Sequence, residues 1–181
     1  ITCGEAPFMT SRYDTTTGRA IHIEDRIGFL DRKLRIVNEN TCNREDWFDA
    51  AVTAYQTSRA YEWQGDNLLL ARESLLYTFI DNYEYKFGER PDHELVREIA
   101  DIISWNVWQM DGLKGVIPNS CHDVENRNLY GEIERTPCPG CKTNNIHNHN
   151  GIPVLLKAFS SGNTYPFHLL SKKCYLCSQK R

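Results

Sequence analysis

Cys138-Pro139-Gly140-Cys141 sets two thiols three positions apart on a proline-glycine turn, a spacing at which both thiolates can face one ion. Two ligand sets could complete a tetrahedron around them. One adds Cys121 and His149 (or His147), giving three thiolates and an imidazole within 29 residues. The other adds the second Cys-x-x-Cys pair, Cys174 and Cys177, giving a four-cysteine ribbon. The first set is preferred because its ligands lie closer in sequence. Either set closes the coordination sphere and leaves no position for water, so the expected ion is a structural zinc. Seven cysteines, an odd number with four in Cys-x-x-Cys pairs, fit metal binding better than a secreted disulfide framework and point to a cytoplasmic protein. The letters His147-Asn148-His149 match those of an HNH nuclease, but the ββα setting which that site needs is not read here. His22, His93 and His168 are isolated and read as solvated or satisfied side chains.

A second candidate is Glu62. Ala60, Tyr61 and Trp63 suit a buried strand, Gly65-Asp66 is a turn signal, and Asn67 or Asp66 can cap a long helix that follows. Glu62 then stands at the carboxyl end of a strand, where open α/β sheets bind ligands and where an acid can accept hydrogen bonds from a ribose.

Charge supplies a third. The chain carries a net −3, but from Thr136 onward there are six Lys or Arg and no Asp or Glu, leaving 15 basic against 24 acidic residues before it. Lys157, Lys172, Lys173, Lys180 and Arg181 are therefore candidate contacts for a polyanion such as DNA. The other reading is a basic tail that offsets an acidic body.

These groups need elements to position them. From His22, apolar residues at Ile23, Ile27, Leu30, Leu34 and Val37 predict an amphipathic helix. Asn43 can cap a second helix to about Ser58, with an inward face of Trp47, Ala50, Ala51, Ala54 and Tyr55. Gly88 and Pro91 stop the long central helix, and Asp92 opens another that carries Leu95, Ile99, Ile102 and Ile103. Trp105 to Met110 can continue that helix or form a strand, and Asp111-Gly112 ends it in a turn. The four tryptophans read as core. From Ser120 the composition changes to Cys, His, Asn, Gly and Pro. The organisation expected is a core over residues 1–120 and a basic, Cys/His-rich module over 121–181. No apolar run approaches the roughly 18 residues of a membrane span. A start at Ile1 without methionine or a leader pattern implies upstream sequence and no secretory signal.

Thr2-Cys3-Gly4-Glu5-Ala6-Pro7-Phe8 resembles the first motif of the amino-group DNA methyltransferases, a glycine loop that meets S-adenosylmethionine. Glu62 falls where that family places its ribose-binding acid, and Asp111 where it places an aspartate near the cofactor's adenine. Together with RIGFLDRKLRIVNEN, YEWQGDNLLLARE and ISWNVWQMDGLKGVIPNS, these segments resemble the methylase subunit of bacterial restriction systems, over most of the chain to about residue 151. The resemblance implies a helix-rich α/β fold, a fragment of a Rossmann-like methyltransferase core followed by a small zinc module. It also implies Gly4, Glu5, Glu62 and Asp111 as cofactor-binding residues, methyl transfer to adenine in DNA, and other restriction subunits as partners. Two departures stand out. Ala6 replaces the loop's second glycine, and the Asn-Pro-Pro-Tyr catalytic segment is absent, Ile117-Pro118-Asn119-Ser120 being no substitute. No catalytic residue is named. The alternative is a non-enzymatic, zinc-containing nucleic-acid-binding or assembly module.

Overall fold

A computed structural model describes residues 2–128 and 130–169. The chain forms two compact units that divide after Trp108.

The first unit is mainly helical. Its helices are α1 (Phe29–Asn40), α2 (Arg44–Gln56), α3 (Gly65–Phe87) and α4 (His93–Asn106), and two short paired strands, β1 (Ala60–Glu62) and β2 (Val107–Gln109), follow α2 and α4. Leu30, Leu34 and Val37 of α1, Trp47, Ala51, Ala54 and Tyr55 of α2, and Ile99, Ile102 and Ile103 of α4 are buried, as their helical spacing requires. The centre of the core is aromatic. Trp47 meets Tyr83 edge-on at 5.4 Å between centroids and Phe79 at 5.7 Å, while its indole N–H donates to Asn38 Oδ1 at 2.7 Å. Asn43 Oδ1 accepts from the Asp46 N–H at the start of α2, and Gly88 ends α3 with a left-handed φ of 74°.

Several expectations change. The periodic segment from Ile23 is not one helix. Ile23–Asp25 is a 3₁₀ turn, Ile27 is 74% exposed, and α1 begins only at Phe29. The cause is Gly28, whose N–H donates to Asp31 Oδ2 at 3.0 Å and whose Cα lies so close to Met9 that a Cβ would sit 2.4 Å from that carbonyl oxygen. Gly65-Asp66 is not a turn, since α3 already starts at Gly65, and neither Asp66 nor Asn67 caps it. Gln64 is the N-cap, with its N–H held by Glu62 Oε1 at 3.0 Å. Trp105 to Met110 divides between the two readings, with helix to Asn106 and strand from Val107. Trp47 and Trp108 are buried, but Trp63 is 37% exposed.

The second unit carries two antiparallel hairpins and a one-turn helix: β3 (Val124–Arg127) with β4 (Ile133–Thr136), α5 (Pro139–Thr143), and β5 (Leu155–Lys157) with β6 (Thr164–Pro166). Residues 111–117 belong to it rather than to the helical unit. Val116 bridges both Asp111 and Pro153, and the Ile117 N–H donates to the Ile152 carbonyl at 2.9 Å. The compact division therefore falls earlier than the change in composition. The fold is mixed α/β with small sheets. Among the described residues every ladder is two-stranded, and parallel pairing outside the ladders is the single bridge of Thr2 to Tyr61. No helix among these residues is long and apolar enough to cross a membrane.

Candidate metal centre and cofactor cleft

The preferred thiol and imidazole set converges. Cys121, Cys138, Cys141 and His149 bring their donor atoms within 4.8 Å of one another. His149 Nδ1 lies 3.5 Å from Cys121 Sγ and 3.7 Å from the sulfurs of both Cys138 and Cys141. A tetrahedral zinc with Zn–S near 2.3 Å and Zn–N near 2.0 Å would separate sulfur and nitrogen by roughly 3.6 Å. The donors therefore fit a metal ion such as zinc.

Local sequence explains how they meet. Cys138 is the N-cap of α5, Pro139 supplies the first helical φ, and Cys141 follows one turn later on the same side. Asn144 ends the turn in the left-handed region, and the chain returns to His149. The β3–β4 hairpin joins Cys121 to Cys138. Asn150 then pins the two arms together. Its side chain accepts from the His122 N–H at 3.2 Å and donates to the His122 carbonyl at 2.7 Å, while its own N–H points at Cys138 Sγ at 3.4 Å.

Two glycines are steric requirements of this centre. A Cβ on Gly140 would lie 2.6 Å from both Cγ and the backbone nitrogen of His149. One on Gly151 would lie 2.5 Å from Ser120 Oγ and 3.1 Å from Cys121 Sγ. Sequence reasoning used Gly140 only as a turn former and missed Asn150 and Gly151, whose roles appear only once both arms are in place.

The metal-free thiols differ. Burial, then the neighbouring thiols of Cys138 and Cys141, push Cys121 up to about 11. Burial also acts to raise Cys138, but the N–H groups of Asn150 and Cys141, then His149, outweigh it and bring that thiol to about 6. Burial opposes the charge of Lys114, yet the neighbouring Cys141 and Asp111 raise its pKa overall. A cation thus stands beside thiolates whose full set, with one Zn²⁺, would carry a net negative charge.

His147 is not in the cluster and packs near His168, with ring centroids 6.3 Å apart. Cys174 and Cys177 lie outside the described residues, as do Lys172, Lys173, Lys180 and Arg181. Lys157 places its ammonium 5.4 Å from the Phe159 ring centroid.

In the first unit, the Cys3 N–H donates to the Tyr61 carbonyl at 2.8 Å beside the parallel Thr2–Tyr61 bridge. That register brings Gly4 to the end of β1, and its N–H donates to Glu62 Oε2 at 2.8 Å. Glu62 is 4% exposed and its two oxygens receive the N–H groups of Gly4 and Gln64, so it ties the loop to the strand. Ala6 takes a left-handed φ of 65°, the conformation that glycine would hold without strain. The loop opens on a cleft of about 710 Å³, with Cys3, Gly4, Glu5, Phe8, Asn67 and Ser74 among its walls. At its rim the Tyr13 hydroxyl donates to Glu5 Oε2 at 2.9 Å, a bond that raises the Tyr13 pKa.

Asp111 lies in the second unit. Its Oδ1 accepts from the Leu113 N–H at 3.0 Å and its Oδ2 lies 3.5 Å from Lys114 Nζ, so the carboxylate organises its own turn.

Searches of family models, curated proteins and solved structures return no match to this chain.

Proposed function

We propose that this protein serves adenine methylation of DNA in a restriction system, with a structural zinc holding its second unit and S-adenosylmethionine entering the cleft of its first. One observation carries the zinc part: three sulfurs and one ring nitrogen share a centre at zinc distances. Four protein donors leave no open position, so the metal folds the unit and takes no part in methyl transfer.

The cofactor part rests on the motif resemblance, supported by the parallel register that sets the Gly4 loop against the acid end of β1 beside a cleft of ligand size. Gly4 and Glu5 would line the cofactor. Glu62 is buried and is not among the cleft's walls, so it is assigned to the ribose by its place in the motif. Asp111 is assigned to the adenine by its motif alone.

The second reading is a non-enzymatic nucleic-acid-binding or assembly module. It is favoured by the missing Asn-Pro-Pro-Tyr segment, without which an extruded base has no evident partner.

Thermal unfolding with S-adenosylmethionine separates the two. A site in the cleft adds about 2.7 kcal/mol of stability at a hundredfold excess over the dissociation constant, and Glu5→Ala or Glu62→Gln reduces the gain. No stabilisation, with DNA affinity that falls by a log–log salt slope of roughly −0.9 per phosphate and is lost on deleting residues 172–181, favours the module.

A further inference from the structure

Two walls of the Gly4 cleft are unused by the fold. Phe8 is 72% exposed, and among the described residues its ring meets no other ring and no cation. Asn67, in the first turn of α3, is half-buried, and its side-chain amide has no hydrogen bond among the described residues. Other polar walls are engaged: Tyr13 with Glu5, and Thr10 Oγ1 with Ser74 Oγ at 2.9 Å.

The exposure of Phe8 is fixed by its backbone. The Phe8 carbonyl accepts from the Phe29 N–H at 2.9 Å and the Met9 carbonyl from the Leu30 N–H at 3.0 Å, so the start of α1 clamps both residues. The Met9 N–H donates back to the Ala6 carbonyl at 2.9 Å. Met9 is 3% exposed and fills the core, while Phe8 beside it stays outside. A single apolar side chain on an open surface carries no message. A ring clamped at the wall of a cleft of about 710 Å³ offers a preorganised aromatic face to whatever enters.

The ligand class follows from what these two walls offer. An exposed ring face takes a planar aromatic partner. A primary amide presents a donor and an acceptor side by side, the pattern that pairs with the amine of adenine and the ring nitrogen next to it. Neither wall carries a charge, so together they select a ring and not an ionic group.

We propose that the Gly4 cleft holds an adenine ring, stacked on Phe8 with its amine edge on the Asn67 amide. The choice of purine rests on the methyltransferase reading, which brings adenine to this cleft from two sources, the cofactor and the DNA base. With the Asn-Pro-Pro-Tyr segment absent, Phe8 gives either ring a face to stack on.

The test is calorimetric titration of the full chain with adenosine, purine riboside and S-adenosylmethionine. Saturable adenosine binding is expected, weakened at least ~5-fold by Phe8→Leu and by Phe8→Ala but kept by Phe8→Tyr, because leucine preserves apolar area and no ring face. These substitutions fall on an exposed side chain and should leave the fold intact, which urea unfolding checks. Purine riboside, which lacks the amine, should bind wild type at least ~5-fold more weakly than adenosine, and Asn67→Ala should erase that preference. Displacement of adenosine by S-adenosylmethionine assigns the ring to the cofactor, and binding of both at once assigns it to the DNA base. No saturable adenosine binding up to about 5 mM, equal binding by Phe8→Leu and wild type, or a preference that survives Asn67→Ala would overturn the proposal. The two readings fail separately. Phe8-dependent adenosine binding without S-adenosylmethionine binding would keep this site and remove the cofactor reading, whereas S-adenosylmethionine binding without adenosine binding would do the reverse.

Discussion

His149 Nδ1 lies 3.5 Å from Cys121 Sγ although 28 residues separate them, and the chain between is a hairpin followed by a single helical turn. Neither element has much core of its own. The contact between these two ligands therefore joins the two arms of the metal centre, and its clearances and second contacts are open to test.

Gly140→Ala should weaken metal binding more than any surface substitution nearby, because its methyl would lie 2.6 Å from the His149 ring and backbone. Asn150→Ala removes both hydrogen bonds to His122, and loss of outer contacts of this kind typically lowers metal affinity ~10–100-fold. Competition with a chromophoric chelator measures both. Wild-type affinity in Gly140→Ala would mean that the two arms do not meet as described.

Glu62→Ala should destabilise the first unit by roughly 3 kcal/mol, since it strands the N–H groups of Gly4 and Gln64 and each lost partner costs about 1–3 kcal/mol. Glu62→Gln keeps one acceptor oxygen and should cost about half as much. Urea unfolding checks the order. Equal stability for wild type and Glu62→Ala would remove the tie between the loop and β1.

Cys3 and Cys42 should label at very different rates. Burial, and then the Glu62 carboxylate, raise the Cys3 thiol to about 11, while Cys42 is exposed. At pH 8.5, below both this value and the ordinary thiol value of 9.0, folded Cys3 stays protonated. Iodoacetamide with peptide mapping should alkylate Cys42 at least ~10-fold faster. The folded pKa is the higher one, so this thiol's contribution to stability is fully present below about pH 9 and is lost as pH rises from there toward 11. Rapid labelling of Cys3 at pH 8.5 would contradict its burial.

The sequence carried the helices well where an apolar stripe and a cap agreed, as at Asn43 for α2 and Gly88 for α3. It misled where a tertiary contact overrode the stripe. Ile23 and Ile27 continue the α1 period, but the close approach of Gly28 to Met9 cuts the helix short, and no local pattern records that approach. The same limit governs the sites. Cys-x-x-Cys spacing is local and legible, and closeness in sequence favoured Cys121 and His149 as the remaining ligands. The grip of Asn150 on His122 and the clearance at Gly151 are products of folding across about 30 residues. The burial of Asp31 has no signature in the sequence, because Asn82 and Lys86 lie on α3 and are brought near it by packing alone.

The most direct test of the metal centre is X-ray absorption at the zinc edge on metal-loaded protein, with total metal content measured on the same sample, for wild type and for a Cys174→Ser/Cys177→Ser variant. One zinc per chain with three sulfur and one nitrogen scatterers, unchanged in the variant, is predicted from Cys121, Cys138, Cys141 and His149. Four sulfur scatterers, loss of the metal in the variant, or far less than one zinc per chain would contradict it.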